Sequence, residues 1–380
     1  MTAEAVALVD PSGLVQFLDE RYLQGYIQLG GAKFKLVVGR EGCGKTALLR
    51  EVLSRAAAMG YAVAQLSART TQLGRFDHFY RAILTQVDVE SIVTSAADAL
   101  VHDALGFALA EAGDIPFVSW AERKRGLDRA DVVREISLKL GQTYRERALS
   151  PGFASAFVWL IRRRLLGGSN DQTQTVLSWL SGQQPLNRAA LRDVGIYKPM
   201  DNYAARHALR SLLHVLRTLG LPGMVVAIDD LDQLTLSKRA VQGVYYTKQA
   251  KDQAYESIRQ FIDDADLMPG FLLLCAGRDS VLHDGLRGIP SYVALRNRLV
   301  DEVQASEINR FSDVLNLDEA WGTDGGNWPA QRDRLIEVWT SALRRTGQDL
   351  PHIDKSAFTP AGLDSPVGRL VRYLRGEGMA

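Results

Sequence analysis

Cysteine is nearly missing from this sequence: 2 in 380 residues, Cys43 and Cys275. That excludes a disulfide framework and points to a reducing, cytoplasmic address. Long hydrophobic runs are missing too. No stretch approaches the roughly 18–20 uninterrupted apolar residues of a membrane span. Met1–Asp10 has no basic stretch before its short apolar run, so no export leader is expected. Charge of one sign is lacking, since 45 Lys plus Arg against 44 Asp plus Glu leave a formal net charge of +1. Contacts to nucleic acid would therefore come from local patches or from assembly. There is no internal repeat and no low-complexity segment. At 46% hydrophobic and 23% charged residues, disorder as the main state is excluded as well. What remains at this length is two or three globular units.

Read along the chain, a helix over Ser12–Tyr26 leads through the Gly30-Gly31 turn into a strand, Lys33–Val38. Thr46–Met59 carries Leu48, Leu49, Val52, Leu53 and Ala56 at helical spacing, with Gly60 placed to end it. Tyr61–Ser67 reads as a second strand. Strand, glycine loop, helix and strand form a βαβ unit, which argues for an α/β fold with a parallel sheet covered by helices. From Phe76 to Leu219 nearly every apolar run is helical. Strands return at Gly223–Asp230 and Gly270–Gly277, each after a Pro-Gly pair, and beyond about Ser306 the pattern is helical again. The expected division is a core in two parts, 1–88 and 201–305, separated by a large all-helical insertion, 89–200, and followed by a helical piece, 306–380.

The chemistry starts at Gly39-Arg40-Glu41-Gly42-Cys43-Gly44-Lys45-Thr46, which fits G-x-x-x-x-G-K-[ST] without deviation. Gly39, Gly42 and Gly44 let successive N–H groups turn toward phosphates, and the helix opening through Ala47 favours the same anion. Lys45 is expected on the β- and γ-phosphates of ATP, and Thr46 on Mg²⁺. The run Val225-Val226-Ala227-Ile228-Asp229-Asp230 ends in acids at a sheet edge, where open α/β sheets bind ligands. Asp229 is the expected Mg²⁺ partner. Asp230 is the candidate base for an attacking water, one methylene shorter than Glu. Asp232 reads as a solvated loop carboxylate. After the apolar run Phe271–Leu274, Arg278 or Asp279 either faces the γ-phosphate or caps the strand. From Lys45 to Asp229 is 229 − 45 = 184 residues, far more than one or two crossovers need.

Together these residues resemble the AAA+ class of P-loop ATPases, in the neighbourhood of the origin-recognition and helicase-loader group. More narrowly, the chain is similar to the ATP-binding proteins of BREX-type bacteriophage-defence systems, the BrxD-like branch. Phe34–Gly39, Val176–Gly182, Ala208–Leu219 and Ile258–Asp263 carry that resemblance. It implies a homo-oligomeric ring, of six or seven subunits, whose ATP site a neighbouring subunit completes. An arginine finger would come from Arg296 or Arg298, and the C-terminal helical lid would add Arg369, with Arg372 and Arg375 on its face. It further implies DNA and a superfamily 2 helicase as partners. Two departures stand out: Asp-Asp replaces Asp-Glu, and no Asn or Thr fills the obvious sensor position.

Three features are candidates for holding DNA: Arg162-Arg163-Arg164, the knot Glu122–Arg125 with Arg129, and Lys238–Lys251 with Tyr245 and Tyr246. Two functions follow. One is a ring ATPase that assembles on DNA and loads or activates a helicase. The other is a nucleotide-switched scaffold with slow hydrolysis and no translocation.

Overall fold

The computed structural model describes residue 10 and residues 13–144, 149–168, 170–183, 187–299, 309–323, 327–345, 353–360 and 364–374. The chain forms two compact units. One comprises Met1–Gly74, Met224–Ala265 and Phe271–Ala380, the other Arg75–Gly223 with Asp266–Gly270.

The first unit opens with α1 (Leu14–Phe17), which runs on as a π-wound stretch, Leu18–Ile27, where a single α-helix was expected. Ser12, at the expected start, lies outside the described residues. Leu14, Leu18, Leu23 and Ile27 are buried on this segment. After β1 (Ala32–Val38) and the glycine loop comes α2 (Lys45–Ala58), which buries Leu48, Leu49, Val52, Leu53 and Ala56 as its periodicity requires. Gly60 takes φ 85° and Tyr61 N–H reaches back to the Ala56 carbonyl at 3.0 Å, so the glycine closes the helix. β2 (Ala62–Ser67) follows.

The regular secondary structure described in the second unit is all helical, its α-helices being α3 (Phe76–Leu84), α4 (Val89–Leu105), α5 (Phe117–Arg125), α6 (Arg129–Thr143), α7 (Pro151–Leu166), α8 (Asn170–Leu180), α9 (Arg188–Asp193) and α10 (Asn202–Thr218). Asp88, Asp128, Asn187 and Asp201 accept first-turn N–H groups and so start four of them. Its interior is apolar and partly aromatic. Phe153 stacks on Phe157 at 5.6 Å, and Tyr144 meets Phe157 edge-on at 5.4 Å.

The chain then returns to the first unit with β3 (Met224–Asp229), α11 (Lys248–Asp263), β4 (Phe271–Gly277), α12 (Ser280–His283) and α13 (Val293–Leu299). It ends with β5 (Val314–Asn316), α14 (Leu317–Ala320), α15 (Trp328–Arg345) and α16 (Pro366–Leu374). The five strands form one parallel sheet in the order β2-β3-β4-β1-β5. Every residue of β3 and β4 is buried, which is why their sequences are continuous apolar runs.

β5 corrects the expectation that the chain beyond Ser306 is helical. Its three residues pair with Leu36–Val38 of β1, too few to show a period of two. Lys35 secures this edge: fully buried, it donates to the carbonyls of Phe311 at 2.7 Å, Arg310 at 3.3 Å and Ser312. Because all strands run the same way, the glycine loop after β1, the acids after β3 and the polar end of β4 gather at one edge of the sheet.

Candidate active site

Gly39, Gly42 and Gly44 have φ of 149°, 79° and 101°, backbone that only glycine adopts without strain. A Cβ at Gly42 would lie 2.8 Å from Gly368 Cα, so this glycine serves space as well as φ. Lys45 folds over the loop, its Nζ donating to the carbonyls of Gly39 and Arg40 at 2.8 Å each and lying 3.6 Å from Cys43 Sγ. Burial pushes the Cys43 thiol up to about 11, against the opposing pull of Lys45. It is therefore a packing group and not a nucleophile. Ala47 is exposed on the first turn of α2.

The two residues assigned to the metal meet: Thr46 Oγ1 donates to Asp229 Oδ2 at 2.5 Å, across 183 residues. Ser67 is paired with Asp229 in the sheet, which brings the end of β2 beside these acids. Asp230 takes φ 57°, the one positive φ outside glycine among the described residues. Ser67 Oγ donates to its Oδ2 at 2.7 Å, and Arg69 Nε lies 3.1 Å from its Oδ1. Both carboxylate oxygens are thus engaged at the end of β2.

Asp232 is not a solvated loop carboxylate. It is 7% exposed, and its Oδ1 accepts the Arg278 N–H at 3.1 Å, tying the turn after β3 to the end of β4. Its sequence setting, an acid two places after a pair of acids, gives no sign of that burial. The Arg278 guanidinium reaches Glu41 of the glycine loop at 2.6 Å. Asp279 is half-buried, and burial, then the Asp318 carboxylate, raises its pKa while Lys45, His283 and Arg40 pull it down. Arg278 thus bridges the end of β4, the turn after β3 and the glycine loop.

The sequence reading missed the residues that brace the loop. Asp318, 2% exposed at the start of α14, accepts the Arg40 N–H on Oδ2 at 2.6 Å and Arg40 Nε on Oδ1 at 3.1 Å. Arg40 further donates to Thr323 Oγ1 and to the Pro360 carbonyl, both at 2.8 Å. Trp321 Nε1 donates to the Cys43 carbonyl at 2.8 Å. Just before α16, the Ser365 N–H donates to the Glu41 carbonyl at 3.0 Å, and Gly368 of α16 packs backbone to backbone on Gly42. Arg369, one residue on, donates to the Thr359 carbonyl. Arg372 binds Asp364 at 2.7 Å, while Arg375 lies outside the described residues.

The structure separates the two finger candidates. Arg298 is held by Asp263, Nε to Oδ1 at 2.5 Å and Nη2 to Oδ2 at 2.9 Å, and Arg259 joins the same carboxylate. Arg296 is exposed on α13. The basic-aromatic stretch after β3 needs a correction. Tyr246 is fully buried, with its hydroxyl donating toward the carbonyls of Ala68 and Thr71. Lys251, 2% exposed, donates to Ser291 Oγ at 2.5 Å and pairs with Asp252 at 3.2 Å. Neither is available to DNA. Lys238, Arg239 and Lys248 remain exposed. In the helical unit Arg125 pairs with Glu111 at 2.5 Å and Arg129 with Glu122 at 3.5 Å, while Arg162 and Arg164 are exposed.

A family model described as "BREX system ATP-binding protein BrxC/D" matches residues 20–319. The chain belongs to this family. The match spans the glycine loop, both acids after β3, the helical unit and the start of α14. No curated protein and no solved structure gives a match. No described helix is long and apolar enough to cross a membrane. Among the described residues no three His, Cys, Asp or Glu side chains cluster as a metal cage.

Replacing Asp318 with Ala strips both the Arg40 guanidinium and its N–H of a buried acceptor. A loss of about 2–3 kcal/mol is expected, read from urea unfolding. A weaker ATP affinity, read by calorimetry on the folded variant, should accompany it. Asp318→Asn, which keeps one acceptor, should lose less of both.

Proposed function

We propose that the chain is an AAA+ type ATPase that binds and hydrolyses ATP with Mg²⁺ and assembles as a homo-oligomeric ring on DNA. In that role it loads or activates a partner helicase in bacteriophage defence. The observation that carries the ATP site is the meeting of Thr46 and Asp229 at 2.5 Å beneath a loop of three positive-φ glycines. Family membership supports ATP as the nucleotide and phage defence as the setting.

On this reading the loop N–H groups and the start of α2 receive the phosphates. Lys45 exchanges the Gly39 and Arg40 carbonyls for phosphate oxygens, a trade of neutral acceptors for charged ones. Thr46 and Asp229 offer two hard oxygen ligands, which fit Mg²⁺, and when bound the ion neutralises phosphate charge. Asp230 orients the attacking water and takes its proton. Arg278 reaches the loop from the same subunit, Arg369 comes from the lid side, and Arg296 projects toward a neighbour. Exposed Lys238, Arg239, Lys248, Arg123, Lys124, Arg162 and Arg164 are charges offered to DNA, each weak alone and multiplied by a ring.

A second reading, the nucleotide-switched scaffold, draws on one observation: both oxygens of Asp230 are bound, by Ser67 and Arg69. A base held this way turns over slowly until it is released. Two substitutions separate binding from turnover. Lys45→Ala is expected to abolish tight ATP binding. Asp230→Asn is expected to retain binding, read by a fluorescent ATP analogue, while steady-state hydrolysis falls by about two orders of magnitude or more. ATP binding that survives Lys45→Ala unchanged refutes the site.

The geometry also ranks the fingers. In mixtures, Lys45→Ala subunits, which keep their arginines, should partly restore ATPase activity to Arg296→Ala subunits, and specific activity should rise with protein concentration. Arg298→Ala is expected to act through the lost Asp263 contact, with a fall in thermal stability. Rescue of Arg298→Ala but not of Arg296→Ala reverses the assignment.

A further inference from the structure

A cleft of about 740 Å³ opens in the helical unit, between the start of α7, the end of α8, the segment 195–200 and one face of α10. Its size is that of a ligand site. None of the basic patches read from the sequence lines it. Its floor is apolar: Phe153, Trp179 and Met200 are 1%, 3% and 4% exposed. Trp179 is fixed there by donating its Nε1 proton to the Lys198 carbonyl at 3.0 Å. Its rim carries two tyrosines, Tyr197 and Tyr203, that are 78% and 75% exposed.

Along α10 the cleft residues Tyr203, His207, Arg210 and His214 recur at helical spacing, so one face of the helix carries a tyrosine ring, two imidazoles and a guanidinium. The Tyr203 and His207 rings lie 4.3 Å apart. Lys198 adds another cation. Among the described residues of the lining the one acid is Asp201, and its carboxylate is occupied in starting α10, accepting the Ala204 N–H at 2.8 Å.

The geometry points to this cleft as a site for single-stranded nucleic acid. Bases stack on Tyr197 and Tyr203 over the apolar floor, and backbone phosphates meet Lys198. The chemistry decides the class. Exposed aromatic rings beside a cation match a ligand that alternates flat apolar faces with anions. An acidic peptide would satisfy the cation and leave the rings without a partner. A duplex hides its base faces. The site goes beyond the ATPase reading, since it lies on different residues from the glycine loop and calls for neither ATP nor Mg²⁺.

The test is fluorescence anisotropy of the full chain with short labelled oligo(dT), oligo(rU) and a duplex, at low salt, with EDTA and no ATP. Single strands should bind more tightly than the duplex. A preference for oligo(dT) assigns DNA and a preference for oligo(rU) assigns RNA. Tyr197→Ala and Tyr203→Ala should each weaken binding roughly 5- to 100-fold. Tyr203→Phe, which keeps the stacking face, should bind like wild type. Lys198→Ala should flatten the log–log salt dependence by about 0.7. Because Tyr197 and Tyr203 are surface side chains, their loss should leave the fold intact, as circular dichroism would verify. Wild-type protein that ignores single strands overturns the inference, as does a Tyr197→Ala/Tyr203→Ala double variant that binds them undiminished. ATP binding measured on the same preparation with Mg²⁺ shows whether such a failure is confined to the cleft.

Discussion

The Asp318 carboxylate is the contact on which the candidate site depends. A glycine-rich loop is built from residues that lose the most conformational freedom on ordering, so it cannot hold its own shape. Here the shape is imposed from outside the loop. Asp318 takes the Arg40 N–H on one oxygen and the Arg40 side chain on the other, so backbone and side chain are fixed together. Trp321 fixes the next turn through the Cys43 carbonyl, and Ser365 and Gly368 fix Glu41 and Gly42. Every one of these supports comes from the chain beyond β5. The short strand β5 is what delivers Asp318, since it runs beside β1 and ends where α14 begins.

This arrangement explains why the loop and its acids were legible in the sequence while their supports were not. A parallel sheet with central strands announces itself as continuous apolar runs, and β3 and β4 are such runs. The glycine loop announces itself because three positive-φ positions and a lysine leave few alternatives. Asp318 is one acid among 44, and its partner Arg40 is 278 residues away. No local pattern encodes that distance. β5, at three residues, is shorter than any periodicity that separates strand from helix.

The misreadings share a cause. Asp232, Lys251 and Tyr246 are polar or partly polar residues in segments that look like surface loop. Their polarity is spent internally: Asp232 on the Arg278 N–H, Lys251 on Ser291 and Asp252, Tyr246 on the carbonyls of Ala68 and Thr71. A lysine-tyrosine pattern has the same appearance whether it meets phosphates or carbonyls, and burial alone tells them apart. The converse held in the helical unit. Tyr203, His207, Arg210 and His214 do recur at helical spacing, but the cleft they line draws on four separate segments that no local pattern connects.

Asp230 ties the argument about function to the argument about fold. A left-handed φ costs an aspartate less than most residues, yet it still costs something. What the conformation achieves is to lead the chain straight from β3 into the buried turn Leu231–Thr235 while delivering the Asp230 carboxylate to Ser67 and Arg69. A carboxylate whose two oxygens are engaged by Ser67 and Arg69 has to give up one of those contacts before it can hold an attacking water. On the proposed reading the chemical step therefore has to be preceded by release of Asp230 from the end of β2. The motor and switch readings then differ in a single quantity, the free energy of that release. If a neighbouring subunit or DNA supplies it, hydrolysis is stimulated on assembly. If neither does, ATP is held and the assembled state persists.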